Sequence, residues 1–146
     1  MWHNKIQRTI VMTTEQNEAA ARRCIDLYNK RTIEWVETCY APNAEWIESP
    51  LPATPAGQRG DRAFLSQVAQ RMLSLFPDRQ MEIRNLVAQG DQVVLELDWR
   101  GTAAATVGNI RAGLPIRFRV ATFLTFVEGM IIKHMDYCVL IPTNAA

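Results

Sequence analysis

The spacing of apolar residues changes along the chain from a helical period to a period of two, and that change predicts the architecture. Thr13-Thr14-Glu15-Gln16 has the form of a capping box, with Thr13 as N-cap and Gln16 reaching back, and Ala20, Cys24, Leu27 and Tyr28 follow at helical spacing. A helix is predicted over 14–29. Thr32 opens a second, short one carrying Ile33, Val36 and Tyr40, which Pro42-Asn43 stops. Residues 44–48 alternate as a short strand with Trp46 and Glu48 on one side and Ile47 on the other. Pro50, Pro52, Pro55, Gly57 and Gly60 make the next stretch an irregular connection, which either borders a pocket or simply joins elements. Asp61 is an N-cap for a third helix, whose stripe of Phe64, Leu65, Val68, Met72 and Leu75 runs to Pro77 and reads as core.

From Met81 onward the period is two. Strands are predicted over 81–88, 93–101 and 116–127, and a turn at Glu128-Gly129 leads into a last strand reaching Ile141. Residues 102–115 lack a period and read as a loop. The fold class is therefore α+β: N-terminal helices packed on a strongly curved, mainly antiparallel sheet, enclosing a cone-shaped pocket. The uncovered sheet face is expected to pair with a second copy of the chain in a homodimer.

Two strands carry charges that need an explanation. On the strand over 93–101, Val94, Glu96, Asp98 and Arg100 oppose Val93, Leu95, Leu97 and Trp99, and alternation alone makes the charged side a solvated face. On the last strand His134, Asp136 and Cys138 share one face and Met135, Tyr137 and Val139 the other. A carboxylate in so apolar a strand is costly unless paired, so Asp136 is either functional or a structural group bonded to His134 or a neighbouring strand.

Composition narrows the classes. The chain has 146 residues, 48% apolar and 21% charged, with a formal net charge of +1, as expected of one ordinary globular domain. Its sixteen basic residues are scattered, which argues against a nucleic-acid surface, and no run approaches the ~18 apolar residues of a membrane span. Cys24, Cys39 and Cys138 are widely spaced among apolar neighbours, suiting reduced thiols in a cytoplasm. With two histidines, one of them in the N-terminal segment, no metal-ligand spacing is recognisable. Residues 1–13 are expected to form an arm or extension, 14–142 the domain and 143–146 a tail.

Trp46-Ile47-Glu48-Ser49-Pro50-Leu51-Pro52, Gly60-Asp61, Gly90-Asp91-Gln92-Val93-Val94, Gly101-Thr102 and the run from Glu128 to Tyr137 together resemble one known group. They are similar to the SnoaL-like branch of the nuclear-transport-factor-2-like superfamily, near the polyketide and ester cyclases, ketosteroid isomerases and limonene epoxide hydrolases. The resemblance covers almost everything after Thr14. It implies a cone-shaped α+β domain, commonly dimeric, with acid and base groups in an otherwise apolar pocket and no metal or redox cofactor. By position, Asp136 matches the carboxylate that serves the family as acid or base, and Asp98 the second carboxylate of the epoxide hydrolases. The sequence departs from its relatives elsewhere: Glu96 stands at the hydrolases' arginine position, Trp46 and Glu48 at their water-holding positions. Ala103 follows Gly101-Thr102 where cyclases often have a histidine.

Asp136, Asp98, His134 and Glu48 are thus the candidate catalytic residues, and Trp46, Tyr28, Glu96 and Phe123 the candidate substrate contacts. If Asp98 and Asp136 share one pocket, mutual repulsion yields a protonated acid beside an ionised base. His134 is a second base or the group that orients Asp136; Glu48 and Glu96 add acid or bond to Arg100, Arg117 or Arg119. The expected function is cofactor-independent acid-base catalysis of the cyclase or isomerase type on a small, largely apolar oxygenated metabolite. The alternatives are an epoxide hydrolase using the Asp98/Asp136 pair, a noncatalytic small-molecule-binding domain, and a structural dimerisation module.

Overall fold

The computed structural model describes residues 10–142, so the expected arm falls mostly, and the tail over 143–146 wholly, outside the described residues. Three helices, α1 (Thr14–Tyr28), α2 (Glu34–Cys39) and α3 (Arg62–Leu75), accompany six strands, β1 (Tyr40–Glu48), β2 (Gln58–Gly60), β3 (Gln80–Gln89), β4 (Gln92–Thr102), β5 (Pro115–Val127) and β6 (Met130–Leu140). The capping box at α1 forms as its sequence requires: Gln16 N–H donates to Thr13 Oγ1 at 3.1 Å and Thr13 N–H to Gln16 Oε1 at 2.8 Å. Asp61 Oδ1 caps α3 by accepting from Phe64 N–H at 3.0 Å. Among the described residues no helix is long and apolar enough to cross a membrane.

The strands form a single open sheet in the order β2-β1-β6-β5-β4-β3. Hairpins join β3 to β4 and β5 to β6, the latter through Glu128 and Gly129, both at positive φ (51° and 79°) as a tight two-residue turn demands. The pairing of β1 with β6 is parallel, the one parallel ladder among the described residues. β1 is longer than the predicted strand over 44–48, because Tyr40 leaves the helix and becomes its first residue. Pro42 does not end the strand: the ladder to β6 slips between Tyr40 and Glu45, leaving the residue without an N–H where no ladder bond is needed.

All three helices lie on one face of the sheet. That inner face carries Val93, Leu95, Leu97 and Trp99 from β4 and Val120, Leu124 and Phe126 from β5, which join Ala21, Val36 and Leu65 of the helices in one core. On the outer face the alternation of β4 puts Glu96 and Asp98 opposite Ala121 and Arg119 of β5. Asp98 there accepts from Arg117 at 2.8 Å, Arg119 at 2.9 Å and Arg84 at 3.0 Å, while Glu96 accepts from Arg119 at 2.9 Å. The expectation that Asp98, Glu96 and Phe123 face the pocket is therefore corrected, for the sheet itself stands between them and the helices. Phe123, 45% exposed, packs edge-on against Tyr137 on the same outer surface. Partial burial pushes the Asp98 carboxyl up, and the Arg117, Arg119 and Arg84 guanidinium groups more than reverse this, holding it at about 2.

Asp98 is thus a structural ion on β4 that ties one arginine of β3 and two of β5. Its folded pKa lies below the unfolded value of ~3.9, so the stabilisation is complete above about pH 4 and disappears as pH falls through about 2. Asp98→Asn is expected to cost on the order of 1–2 kcal/mol at neutral pH, the low end reflecting exposed partners. Urea unfolding of both proteins across acid pH checks this: the gap should close toward about pH 2, and a gap independent of pH would refute it.

Candidate active site

The register of three neighbouring strands assembles the polar end of the cavity. Parallel pairing sets Trp46 beside His134 and Glu48 beside Asp136, and the antiparallel ladder sets Thr122 of β5 opposite Asp136. Side chains two apart on a strand share a face, so Glu48, His134, Asp136 and Thr122 all project inward. Thr122 Oγ1 donates to Asp136 Oδ1 at 2.6 Å, and His134 Nε2 lies 2.6 Å from that same oxygen. Both bonds fall on Oδ1, which leaves Oδ2 to meet a ligand. Tyr40, from the strand start just described, places its hydroxyl 2.5 Å from His134 Nδ1 with the rings stacked 5.8 Å apart.

For a neutral imidazole this arrangement selects one tautomer. With Nε2–H donating to the Asp136 carboxylate, Nδ1 accepts from the Tyr40 hydroxyl, and Tyr40, His134 and Asp136 form one directed chain. Burial pushes the Tyr40 phenol well up, with the nearby Cys24, Asp136 and Cys39 acting in the same direction, so it keeps its proton to donate. Glu48 is pushed up as well, first by burial and then by the Asp136 charge, against the opposing hydrogen bond from Gln58 Nε2 at 3.0 Å. Ser49 pins this end of β1: its N–H donates to the Asp136 carbonyl at 2.9 Å and its Oγ accepts from Cys138 N–H at 3.1 Å. The Cys138 thiol is driven far up by burial and by the charges of Asp136 and Glu48, which disfavours its thiolate.

The groups open into a cavity of about 130 Å³, on a measure by which one water needs ~10–15 Å³. Its walls are apolar and aromatic, led by Tyr28, Trp35, Trp46, Trp99 and Phe118. Tyr28 Oη accepts from Trp99 Nε1 at 2.8 Å, and the Arg79 guanidinium lies 4.3 Å over the Tyr28 ring. Such a concavity, with few convergent polar groups, is the usual form of a small-molecule site.

Of the residues singled out from the sequence, Asp136, His134, Glu48, Trp46 and Tyr28 line this cavity. Asp98, Glu96 and Phe123 do not, so the Asp98/Asp136 pair that the epoxide-opening alternative requires has no geometric basis. The second carboxylate near Asp136 is Glu48. Tyr40, Thr122 and Arg79 went unread. Thr122 sits on the inward-facing alternation of its strand and was there to be found as the lone hydroxyl among Val120, Leu124 and Phe126. Tyr40 was assigned to a helix, and Arg79, in a Pro77-Asp78-Arg79 turn, has the local context of a surface residue.

Comparison with known proteins agrees with this fold. The family model for the SnoaL-like domain matches residues 21–134. AclR of Streptomyces galilaeus, a proposed hydroxylase, superposes with a TM-score of 0.75 at 18% identity over 89% of this chain and 83% of its own. IdmH of Streptomyces antibioticus, a proposed polyketide cyclase, gives 0.72 at 21% over 84% and 91%. A proposed ketosteroid isomerase of Kribbella flavida gives 0.63 at 24% over 92% and 87%. No curated protein sequence gives a significant match. At these identities the structural likeness is one of fold, and with the family model spanning most of the sequence it fixes the assignment: the chain belongs to the SnoaL-like domain family.

Proposed function

We propose that the cavity is the active site of a cofactor-independent cyclase or isomerase acting on a small, largely apolar carbonyl compound. The observation that carries the reading is Asp136: a carboxylate with 13% of its side chain exposed, oriented through one oxygen by Thr122 and His134, its other oxygen free toward an apolar cavity. The solved relatives described as a polyketide cyclase and a ketosteroid isomerase support the same class of chemistry.

In this reading Asp136 Oδ2 takes a proton from the carbon next to the substrate carbonyl. Charge then develops on the carbonyl oxygen, and Glu48, whose pKa burial raises, donates to it in its acid form. Where the substrate is a β,γ-unsaturated ketone, the dienolate takes that proton back from Asp136 at its γ carbon, giving isomerisation; where it holds a second carbonyl, the enolate carbon attacks that carbonyl, whose oxygen takes the proton, giving ring closure. His134 and Tyr40 hold the base in one orientation and feel its charge through the hydrogen-bond chain. Apolar walls strengthen each of these interactions by excluding water.

The outer sheet face supports a second proposal, that two copies associate through it. Phe123, Tyr137 and Val139 are 45%, 51% and 61% exposed on adjacent strands, a contiguous apolar patch beside the Asp98 cluster. Light scattering is expected to give twice the 16.6 kDa chain mass, and Tyr137→Glu to shift the protein to monomer; a monomeric wild type refutes it.

Exchange of α-protons into heavy water, followed by NMR with 2-tetralone as probe, tests the catalytic reading without the native substrate. Asp136→Asn is expected to lower the exchange rate by on the order of 10²–10⁴-fold with the fold unchanged by circular dichroism. Unchanged exchange removes Asp136 from the mechanism, and retention of the ketone without any exchange favours a binding protein. A second outcome concerns pH. Because the acid form of Glu48 is required, exchange should fall as pH rises through its elevated pKa, and Glu48→Gln should abolish that limb while leaving a donor in place.

A further inference from the structure

Arg79 is the largest fully buried side chain of the described residues, with 0% of its surface exposed, and the acid-base chemistry makes no use of it. It follows the Pro77-Asp78 turn at the end of α3 and enters the cavity wall immediately before β3. Its contacts are few for a cation so placed. Nη2 donates to the Thr32 carbonyl at 3.2 Å, and the guanidinium plane rests 4.3 Å over the Tyr28 ring. Nε and Nη1 are buried without a hydrogen-bond acceptor among the described residues, and no carboxylate among them lies within 4.0 Å of the side chain. Trp35 Nε1, in the same cavity wall, is likewise buried without an acceptor.

A guanidinium removed from water holds its charge, because its pKa is too high for it to neutralise, and so it requires an anion or a full set of acceptors. Here the protein supplies one carbonyl, one ring face and the nearby Tyr28 hydroxyl, and no anion among the described residues. The rings that lead away from it are contiguous: Tyr28 to Trp35 at 5.3 Å, Trp35 to Tyr40 at 5.7 Å, Tyr40 to His134 at 5.8 Å. Arg79 and Asp136 thus stand at the two ends of an aromatic wall, one positive and one negative.

The geometry points to a carboxylate-binding subsite at Arg79: the ligand of this cavity is an organic acid with an aromatic or polycyclic body. With the side chains that cover them displaced, the unpaired N–H groups of Arg79 meet its carboxylate in charge-assisted hydrogen bonds, and Trp35 Nε1 offers a further donor. Its body lies along the rings. Asp136 and Glu48 repel a carboxylate, so the two ends of the cavity orient the molecule in one direction, with its neutral carbonyl end toward Asp136. The assignment rests on the cavity being a ligand site and names the substrate class for it; it does not depend on Asp136 being a catalytic residue.

Calorimetric titration of the full chain with 2-naphthoate and with 2-naphthamide, its uncharged counterpart, tests the subsite. The wild type is expected to bind the acid at least tenfold more tightly than the amide. Arg79→Met should reduce that preference to less than twofold, and Asp136→Asn should preserve it. Equal affinities in the wild type, no binding of either compound at millimolar concentration, or a preference that survives Arg79→Met would overturn the proposal. Should the Met variant fail to fold, Arg79→Lys replaces the planar fork by a point charge: a preference reduced at least threefold supports the subsite and an unchanged one refutes it. The α-proton exchange assay separates the two readings. Exchange that depends on Asp136 without an acid preference removes the subsite alone, whereas an Arg79-dependent preference with exchange unaffected by Asp136→Asn removes the catalytic reading alone.

Discussion

The parallel ladder between β1 and β6 is the constraint from which the cavity follows. It joins residues 40–48 to residues 131–136, and in doing so sets Tyr40, Trp46 and Glu48 against His134 and Asp136. A parallel pair cannot be closed by a hairpin and needs a long crossover. The crossover here is nearly the whole domain, since α3 and β2 to β5 lie between the paired strands. The polar end of the site is therefore a product of topology, and each of its hydrogen bonds reports that the two ends of the domain have met in register.

The two aspartates show how completely environment decides the role of a side chain. Asp98 and Asp136 have the same side-chain exposure, 13%, and each sits mid-strand in the same sheet. Asp98 faces outward among three guanidinium groups that consume both of its oxygens. Asp136 faces inward, and its two donors share a single oxygen. Only the face of the sheet separates a carboxylate locked by charge from one left available to a ligand.

Local chemistry in the sequence reached the helices and hairpins because their signals are local: a capping box, an Asx cap, a period of two, a pair of turn residues at Glu128-Gly129. The faces of the last strand were equally legible, which is why His134 and Asp136 could be placed. The β4 alternation also marked Asp98 as solvated, and positional likeness to epoxide hydrolases pulled it the wrong way, into a pocket that the pleat forbids. Tyr40 was lost for a different reason. Pro42 looks like a stop signal two residues later, and only the slipped register against β6, a non-local fact, shows that the strand runs through it. Arg79 carries no signal at all in one sequence: nothing in Pro77-Asp78-Arg79-Gln80 distinguishes a buried guanidinium from an exposed one.

The long crossover has a consequence for how the protein comes into being. The β3-β4 and β5-β6 hairpins close over short loops, while β1 must search for β6 across an intervening chain of about ninety residues, as the Tyr40–His134 bond spans 94 positions. Contacts of such separation form late and set the pace of folding, so the meander assembles first and the seam last. The seam is then also among the first places to open in the native state, and the Tyr40–His134–Asp136 hydrogen-bond chain lies along it. Amide hydrogens of β1 thus report on the integrity of the site, and mutations far away that loosen the crossover weaken it without touching a lining residue.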